Sequence, residues 1–234
     1  MKYENMQEGI FRERPNRFIA HVEIDGKVEI CHVKNTGRCR ELLIPGARVW
    51  LEHHDSAKRK TAFSLIGVYK GDILVNMDSQ APNQVAEEWL LEGGGGHFGK
   101  MELVRREVTY GDSRFDLYFE YKKEDGVRRR AFMEVKGVTL EEDGVARFPD
   151  APTERGVKHV KELEHCLRDG YEAYILFVVQ MDGTSRFEAN RPRHSAFADA
   201  LLEAREAGVQ VLAYDCQVEP DSLRIRRELP VAYV

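Results

Sequence analysis

The first 80 residues alternate short apolar patterns with turn residues. The segment "NRFIAHVEI" ends at Asp25-Gly26 and is followed by "KVEICHV", which is typical of a β-hairpin. Three more strand patterns follow in "ARVWLEHH", "AFSLIGVY" and "DILVNMD", and "RCRELL" indicates a short helix before Pro45-Gly46. Five short strands with one small helix predict a closed or nearly closed barrel of the oligonucleotide/oligosaccharide-binding (OB) type over residues 1–81.

From residue 82 onward the period of the apolar positions changes. The helical pattern "QVAEEWLL" ends at a run of glycines, and two strand patterns follow, "RFDLYFEY" and "RRAFMEVKGVTL". The remaining chain reads helix, strand, helix and strand, with "AYILFVVQ" as the most apolar strand. This order predicts a second domain over residues 82–234, a mixed sheet with flanking helices and partly parallel pairing.

Composition narrows the class of protein. The chain has 234 residues, 42% of them hydrophobic, and a formal net charge of -5, which argues against a uniformly basic coat for nucleic acid. The four cysteines lack the spacing of a zinc site or a disulfide framework. The N-terminus carries no apolar signal segment and the longest apolar run is too short to span a bilayer, so we expect a cytoplasmic protein without a membrane partner.

The glycine-rich segment "GGGHFGKM" imitates a phosphate-binding loop. It fits G-x-x-x-x-G-K, but Met101 stands where such a loop needs Ser or Thr to hold Mg²⁺. It also follows a predicted helix rather than a strand. We therefore interpret the segment as a flexible connection.

The strand pattern "AFMEVKGVTL" contains two charges that need a reason. Glu134 and Lys136 are two residues apart, so their side chains share one face of the strand, roughly 7 Å apart along the chain. Asp116 lies in the preceding strand, 18 residues before Glu134, and an antiparallel pairing would bring it beside that face. The sequence leaves two interpretations open, a solvated ion pair or a functional site.

The functional interpretation is a metal site for phosphodiester chemistry. Two carboxylates, Asp116 and Glu134, would hold a hard divalent cation, expected to be Mg²⁺ or Mn²⁺. Lys136 would orient the attacking water or stabilise charge on the phosphate. Glu88, on the preceding helix, is a candidate third metal ligand and catalytic residue, with an ordinary exposed helix position as its alternative.

A second group of residues suits the backbone of a nucleic acid. Cations lie close to Asn16 and Phe18 in the first domain, and interleaved cations and aromatics are typical of a groove for a nucleic-acid strand. An arginine corner that braces the barrel is the alternative. The candidates for nucleic-acid binding are Arg12, Arg14, Arg17, Arg38 and Arg40, with Lys158 and His159 at the start of a predicted helix, where anions are favoured.

Several segments together resemble the sugar fermentation stimulation protein A family. They are "RPNRFIAHV", "HVKNTGRCRELLIPGARVWL", "YGDSRFD", "MEVKGVTL", "ARFPDAPTERGVKHVKEL" and "ILFVVQ", and the resemblance extends from about residue 10 to residue 230. It implies an N-terminal OB barrel and a C-terminal domain of the PD-(D/E)xK nuclease type. It also implies DNA binding of low sequence specificity and a link to regulation of sugar (maltose) metabolism.

Carried onto this sequence, the nuclease motif of the resemblance falls on Asp116, Glu134 and Lys136, with Glu88 as the helix carboxylate. Phe115 stands where the motif's proline would be. Two function classes remain: a Mg²⁺-dependent nuclease, and a non-catalytic DNA-binding regulator on the same scaffold. A sugar-binding barrel has little support in the sequence. The expected partner is a nucleic acid, DNA in the first instance, and an exposed edge strand could support a homodimer.

Overall fold

The computed structural model describes residues 1–35, 37–55 and 59–233. Six strands form the N-terminal part: β1 (Met6–Asn16), β2 (Ile19–Ile24), β3 (Lys27–Val33), β4 (Arg48–His53), β5 (Phe63–Lys70) and β6 (Ile73–Asn76). The first five strands follow the order β3-β2-β1-β4-β5, and a parallel pairing of β3 with β5 closes the sheet. The result is a closed five-stranded barrel of the predicted OB type, but its strands differ from the five predicted: β1 was missed, and the last predicted strand is β6, which lies beside β5 outside the closed ring.

Buried apolar side chains fill the barrel. Phe11, Val22, Leu51 and Leu65 have at most 1% of their surface exposed. Gly9 of β1 lies in close contact with β2, since a Cβ at this position would be 2.6 Å from the side chain of Val22. Alternate residues of β2 are buried, as the period of two predicted, whereas β5 is buried at five consecutive positions.

The prediction of a short helix in "RCRELL" is wrong. Residues 40–42 form hydrogen-bonded turns instead, and the amides of Leu42 and Leu43 both donate to the carbonyl of Cys39. Cys39 has a positive φ of 44°, which a helix does not accommodate, and Pro45 follows too closely for another turn.

The C-terminal part is a mixed sheet with helices on both faces. Its elements are α1 (Ala81–Leu91), a 3₁₀ turn (Gly94–Gly96), β7 (Lys100–Tyr110), β8 (Ser113–Lys122), β9 (Arg128–Val138), β10 (Leu140–Glu142), β11 (Val145–Phe148), α2 (Glu154–Arg168), β12 (Glu172–Val179), β13 (Arg186–Ala189), α3 (Ser195–Ala207), β14 (Gln210–Glu219), β15 (Ser222–Glu228) and β16 (Val231–Ala232). The main sheet has the order β15-β14-β12-β9-β8-β7. Its central strands β9, β12 and β14 are parallel, as the alternation of strands and helices predicted.

Each face of the main sheet carries its own apolar layer. Helix α1 packs Val85 and Trp89 against one face, together with Met133 of β9. Helices α2 and α3 pack Leu163 and Phe197 against the opposite face. The fold class predicted from the sequence, an OB barrel followed by a mixed sheet with flanking helices, is confirmed.

Gln180, at the end of β12, joins the two parts of the chain. Its side-chain amide donates to the main-chain carbonyl of Asn76 at 3.1 Å and to that of Asp78 at 3.0 Å. The main-chain carbonyl of Gln180 accepts a hydrogen bond from the main-chain amide of Asn76. Gln180 is 1% exposed. The barrel is therefore fixed at the carboxyl end of the central strands, which is the edge where α/β sheets place their functional residues.

None of the helices in the described ranges is both long enough and apolar enough to pass through a bilayer.

Candidate metal and nucleic-acid site

The predicted antiparallel pairing of β8 with β9 is present and is interrupted at Asp116. The last paired residues before it are Leu117 and Met133. At the next position the carboxylate of Asp116 replaces a main-chain partner: its Oδ2 accepts a hydrogen bond from the amide of Val135 at 2.8 Å. The strands part here, and Asp116 is held directly beside the Glu134–Lys136 segment.

Helix α1 fixes the other oxygen of Asp116. The side-chain amide of Asn83 donates to Asp116 Oδ1 at 2.8 Å. Asn83 lies in the first turn of α1, after Pro82, whose fixed φ suits the start of a helix. The start of α1 therefore determines the position of the carboxylate.

Glu134 is buried, with 2% of its surface exposed, and its two oxygens differ. Oε1 accepts hydrogen bonds from Lys136 Nζ and from His159 Nδ1, the latter at 2.5 Å. Oε2 is buried and has no hydrogen-bond partner among the described residues. A buried carboxylate oxygen without a partner is costly, and a bound cation is one reason for a protein to retain it.

The two acids have shifted pKa values of opposite sign. Burial, and then the charge of Glu134, raise the pKa of Asp116 above its ordinary value. Burial alone would also raise the pKa of Glu134, but the hydrogen bonds and charges of His159 and Lys136 outweigh it and lower that pKa. Glu134 is thus the carboxylate that the site keeps ionised, and Asp116 is the one that a nearby cation would relieve.

His159 is at the site, but not as the surface residue that the sequence suggested. It is 6% exposed, and its Nε2 accepts a hydrogen bond from Arg155 Nε, which leaves Nδ1 as the donor to Glu134. Lys158, its neighbour, is exposed and lies 3.6 Å from Glu162. The structure therefore places His159 as a partner of Glu134 and Lys158 on the outer face of α2.

Glu88 does not join the two acids. Its Oε2 lies 2.6 Å from the N-terminal ammonium of Met1, and its Oε1 accepts from Gln84. Across residues 1–35, 37–55 and 59–233, no group of three or more His, Cys, Asp or Glu side chains is arranged to hold a metal ion. Of the predicted metal ligands, Asp116 and Glu134 lie close enough for the charge of Glu134 to raise the pKa of Asp116, and Glu88 lies apart from them.

The arginines of the barrel fall into two classes. Arg12 forms an ion pair with Glu23 at 2.5 Å. Arg14 donates to four backbone carbonyls, those of Arg17, Asn35, Gly37 and Arg38, so it braces the loop after β3. Arg17, Arg38 and Arg40 are exposed and form no ion pair with any described residue. The bracing interpretation holds for Arg14, and the last three are available to a ligand.

Comparison with known proteins identifies the family. The model for the sugar fermentation stimulation protein RE domain matches residues 80–222, and that for the SfsA N-terminal OB domain matches residues 13–77. The chain belongs to the SfsA family. Among curated SfsA relatives, the sugar fermentation stimulation protein homolog of Desulfitobacterium hafniense (strain DSM 10664 / DCB-2) is 56% identical over 95% of this chain and 94% of its own. The homolog of Clostridium beijerinckii is 54% identical over 97% of both chains.

A solved SfsA structure shares the whole fold. Pyrococcus furiosus SfsA in complex with Ca²⁺ is 29% identical, with a TM-score of 0.86, and the match covers 99% of this chain and 98% of that one. The family resemblance inferred from the sequence segments is thereby confirmed.

Two functional contacts were missed from the sequence. Asn83 stood at a domain boundary and looked like a turn residue, and nothing in its neighbourhood pointed to Asp116. His159 was assigned to phosphate binding because of its place near a helix start, although the apolar neighbours Val157 and Val160 indicated that this part of α2 is buried.

Proposed function

We propose that this protein is a divalent-metal-dependent phosphodiesterase that acts on DNA. The observation that carries the proposal is the buried, unpartnered Oε2 of Glu134, next to Asp116 and Lys136, at the point where β8 and β9 part. An ion pair that merely stabilised a sheet would use both carboxylate oxygens or expose the free one to water.

The residues fit a hard cation, Mg²⁺ or Mn²⁺. Asp116 and Glu134 supply oxygen ligands, and the Ca²⁺ bound by Pyrococcus furiosus SfsA supports a divalent-metal site in this family. When bound, such an ion polarises a phosphate oxygen and lowers the pKa of a coordinated water.

The chain's own residues have separable tasks. Asp116 and Glu134 would bind the ion, Asn83 holds Asp116 in place, and His159 fixes the orientation of Glu134. Lys136 is close to Glu134 and would orient the attacking water and stabilise negative charge on the phosphate. The barrel, through Arg17, Arg38 and Arg40, would bind the DNA backbone.

The second candidate is a non-catalytic DNA-binding regulator of sugar (maltose) metabolism. One observation favours it: three of the four oxygens of Asp116 and Glu134 already accept hydrogen bonds from protein donors. The names of the relatives refer to sugar fermentation, and such a role is compatible with either candidate. The two differ in turnover alone.

Cleavage of end-labelled DNA separates them. Single- and double-stranded substrates are incubated with Mg²⁺ or Mn²⁺, with EDTA as the blank, and with the variants Asp116→Asn and Glu134→Gln. Glu203→Gln, an exposed carboxylate on α3, is the matched control. We expect metal-dependent products from the wild type and the control and none from the two variants. Salt-sensitive DNA binding without products under any condition would favour the regulator.

A further inference from the structure

A cationic groove runs between the barrel and the C-terminal sheet. Three adjoining cavities, of about 550, 400 and 280 Å³, have Arg38 in common. The largest lies on the barrel at Arg17 and Arg40. The smallest is lined from the barrel side by Arg38 and Arg40 and from the C-terminal side by Pro152 and Arg193. Together they form one path, which we call the inter-domain groove.

Four of the arginines that line this groove form no ion pair with a described residue. Arg193, just before α3, is exposed, and like Arg17, Arg38 and Arg40 it forms no ion pair with any described residue. Arg147 also lines the middle cavity, but it is paired with Glu188 at 3.1 Å and with Glu142 at 3.0 Å. The acids Glu13, Glu41 and Asp150 also line the groove but do not pair with its arginines. Four unpaired arginines along one path produce a local positive field on a chain of net negative charge.

The groove leads to the candidate metal site. Its middle cavity is lined by Gly137, Val138 and Thr139, which directly follow Lys136. A strand seated on Arg38 would therefore reach the edge of the sheet within a few residues of Glu134, at roughly 3.3 Å per residue of β9.

The floor of the groove favours a single strand over a double helix. At its floor the two domains touch, because a Cβ on Gly37 would lie 3.2 Å from Asp150 Oδ2. The cavity of about 280 Å³ between Arg40 and Arg193 has room for part of one strand. Single strands also suit a cationic groove with an aromatic beside it, and Phe18, next to Arg17, is 51% exposed.

We propose that the inter-domain groove binds the phosphate backbone of single-stranded DNA, with Arg38, Arg40 and Arg193 as phosphate contacts. Arg193 makes the site a joint one, since it belongs to the C-terminal domain while the other two belong to the barrel. The proposal deepens the proposed function and rests on it for the substrate that reaches Asp116 and Glu134.

Binding without turnover tests the groove separately from catalysis. The anisotropy of a fluorescent oligothymidylate is measured in EDTA across a range of salt concentrations, with the full chain and the variants Arg38→Gln, Arg193→Gln and the double variant. Arg168→Gln is the matched control, because this exposed arginine ends α2 beside the opposite edge of the sheet and has no ion pair in the described part of the chain.

We expect each groove variant to weaken binding several-fold. We also expect each to reduce the slope of log K against log salt by about 0.7, and the double variant to reduce it by about 1.4, with the control unchanged. If Arg193→Gln binds like Arg168→Gln, the joint site is refuted, even where metal-dependent cleavage persists. An equal loss of affinity for duplex DNA would refute the preference for single strands. Absence of turnover with these losses intact would refute the proposed nuclease and leave the groove standing.

Discussion

Replacing Lys136 by Met distinguishes the contribution of the Glu134–Lys136 pair to protein stability from the proposed role of Lys136 in catalysis. The side chain of Lys136 is 17% exposed and that of Glu134 is 3% exposed, so the pair is mostly buried. Met preserves the apolar stem and removes only the ammonium. The carboxylate of Glu134 then retains His159 as its one donor.

The expected cost in the metal-free protein is moderate. Breaking a fully buried pair costs about 3–5 kcal/mol, and a buried acceptor left short of a partner costs about 1–3 kcal/mol. Because His159 still donates to Glu134 and Lys136 is partly exposed, we expect about 2 kcal/mol. For a chain of this size that lowers Tm by about 4–8 °C.

Mn²⁺ should offset most of the loss. Without the ammonium, both oxygens of Glu134 are free of a competing cation, and binding that is tenfold tighter adds about 1.4 kcal/mol of stability. The thermal shift produced by Mn²⁺ should therefore be larger for Lys136→Met than for the wild type, while DNA cleavage falls by a factor of about 10²–10³.

Differential scanning calorimetry in EDTA and in Mn²⁺ measures both effects, with Lys161→Met as the control. Lys161 is exposed on α2 and has no ion pair in the part of the chain that the structure describes. A Lys136→Met protein that melts like the wild type in EDTA and shows the same shift in Mn²⁺ would refute the reasoning.

Three further predictions concern single groups. The lowered pKa of Glu134 contributes stability that is present above its ordinary value of 4.5 and is lost as the pH falls toward the lowered pKa, so urea unfolding of Glu134→Gln in EDTA should show a shallower loss of stability on acidification than that of the wild type. Asp116 has a raised pKa, so its ionised form opposes folding at neutral pH. Asp116→Asn can still accept the hydrogen bond from the amide of Val135, so this variant should raise Tm in EDTA and abolish the thermal shift produced by Mn²⁺. A lower Tm in EDTA would count against this account. Phe18→Ala should weaken single-stranded DNA binding by about 1–3 kcal/mol in the anisotropy assay and leave Tm unchanged, whereas unchanged affinity would remove Phe18 from the strand's path.

The sequence was informative where a residue type and a period coincide. Glu134 and Lys136 stood out because charges interrupted an apolar strand, and the polar turn before them implied the antiparallel partner that contains Asp116. The parallel order of β9, β12 and β14 followed from the alternation of strands with helices, since such strands need a crossover.

The features that the sequence did not predict depend on how a helix is rotated against the sheet and on strands at the edge of the sheet. Asn83 faces Asp116, while Glu88, five residues later, lies on the side of α1 that meets Met1; only the angle at which the helix docks decides this. Strand β7 was not predicted, because this edge strand is partly exposed on both faces and its residues do not alternate clearly between apolar and polar. The free arginines of the groove come from distant segments, so their proximity is a property of the fold.

The most direct test of the central claim is to measure the rate of single-stranded DNA cleavage and the amount of protein-bound Mn²⁺, by electron paramagnetic resonance, in the same samples over a range of Mn²⁺ concentrations. The account predicts that the rate follows the occupancy of one bound ion and that Asp116→Asn loses both together. Bound Mn²⁺ with no cleavage at full occupancy, or cleavage that persists in Asp116→Asn, would contradict it.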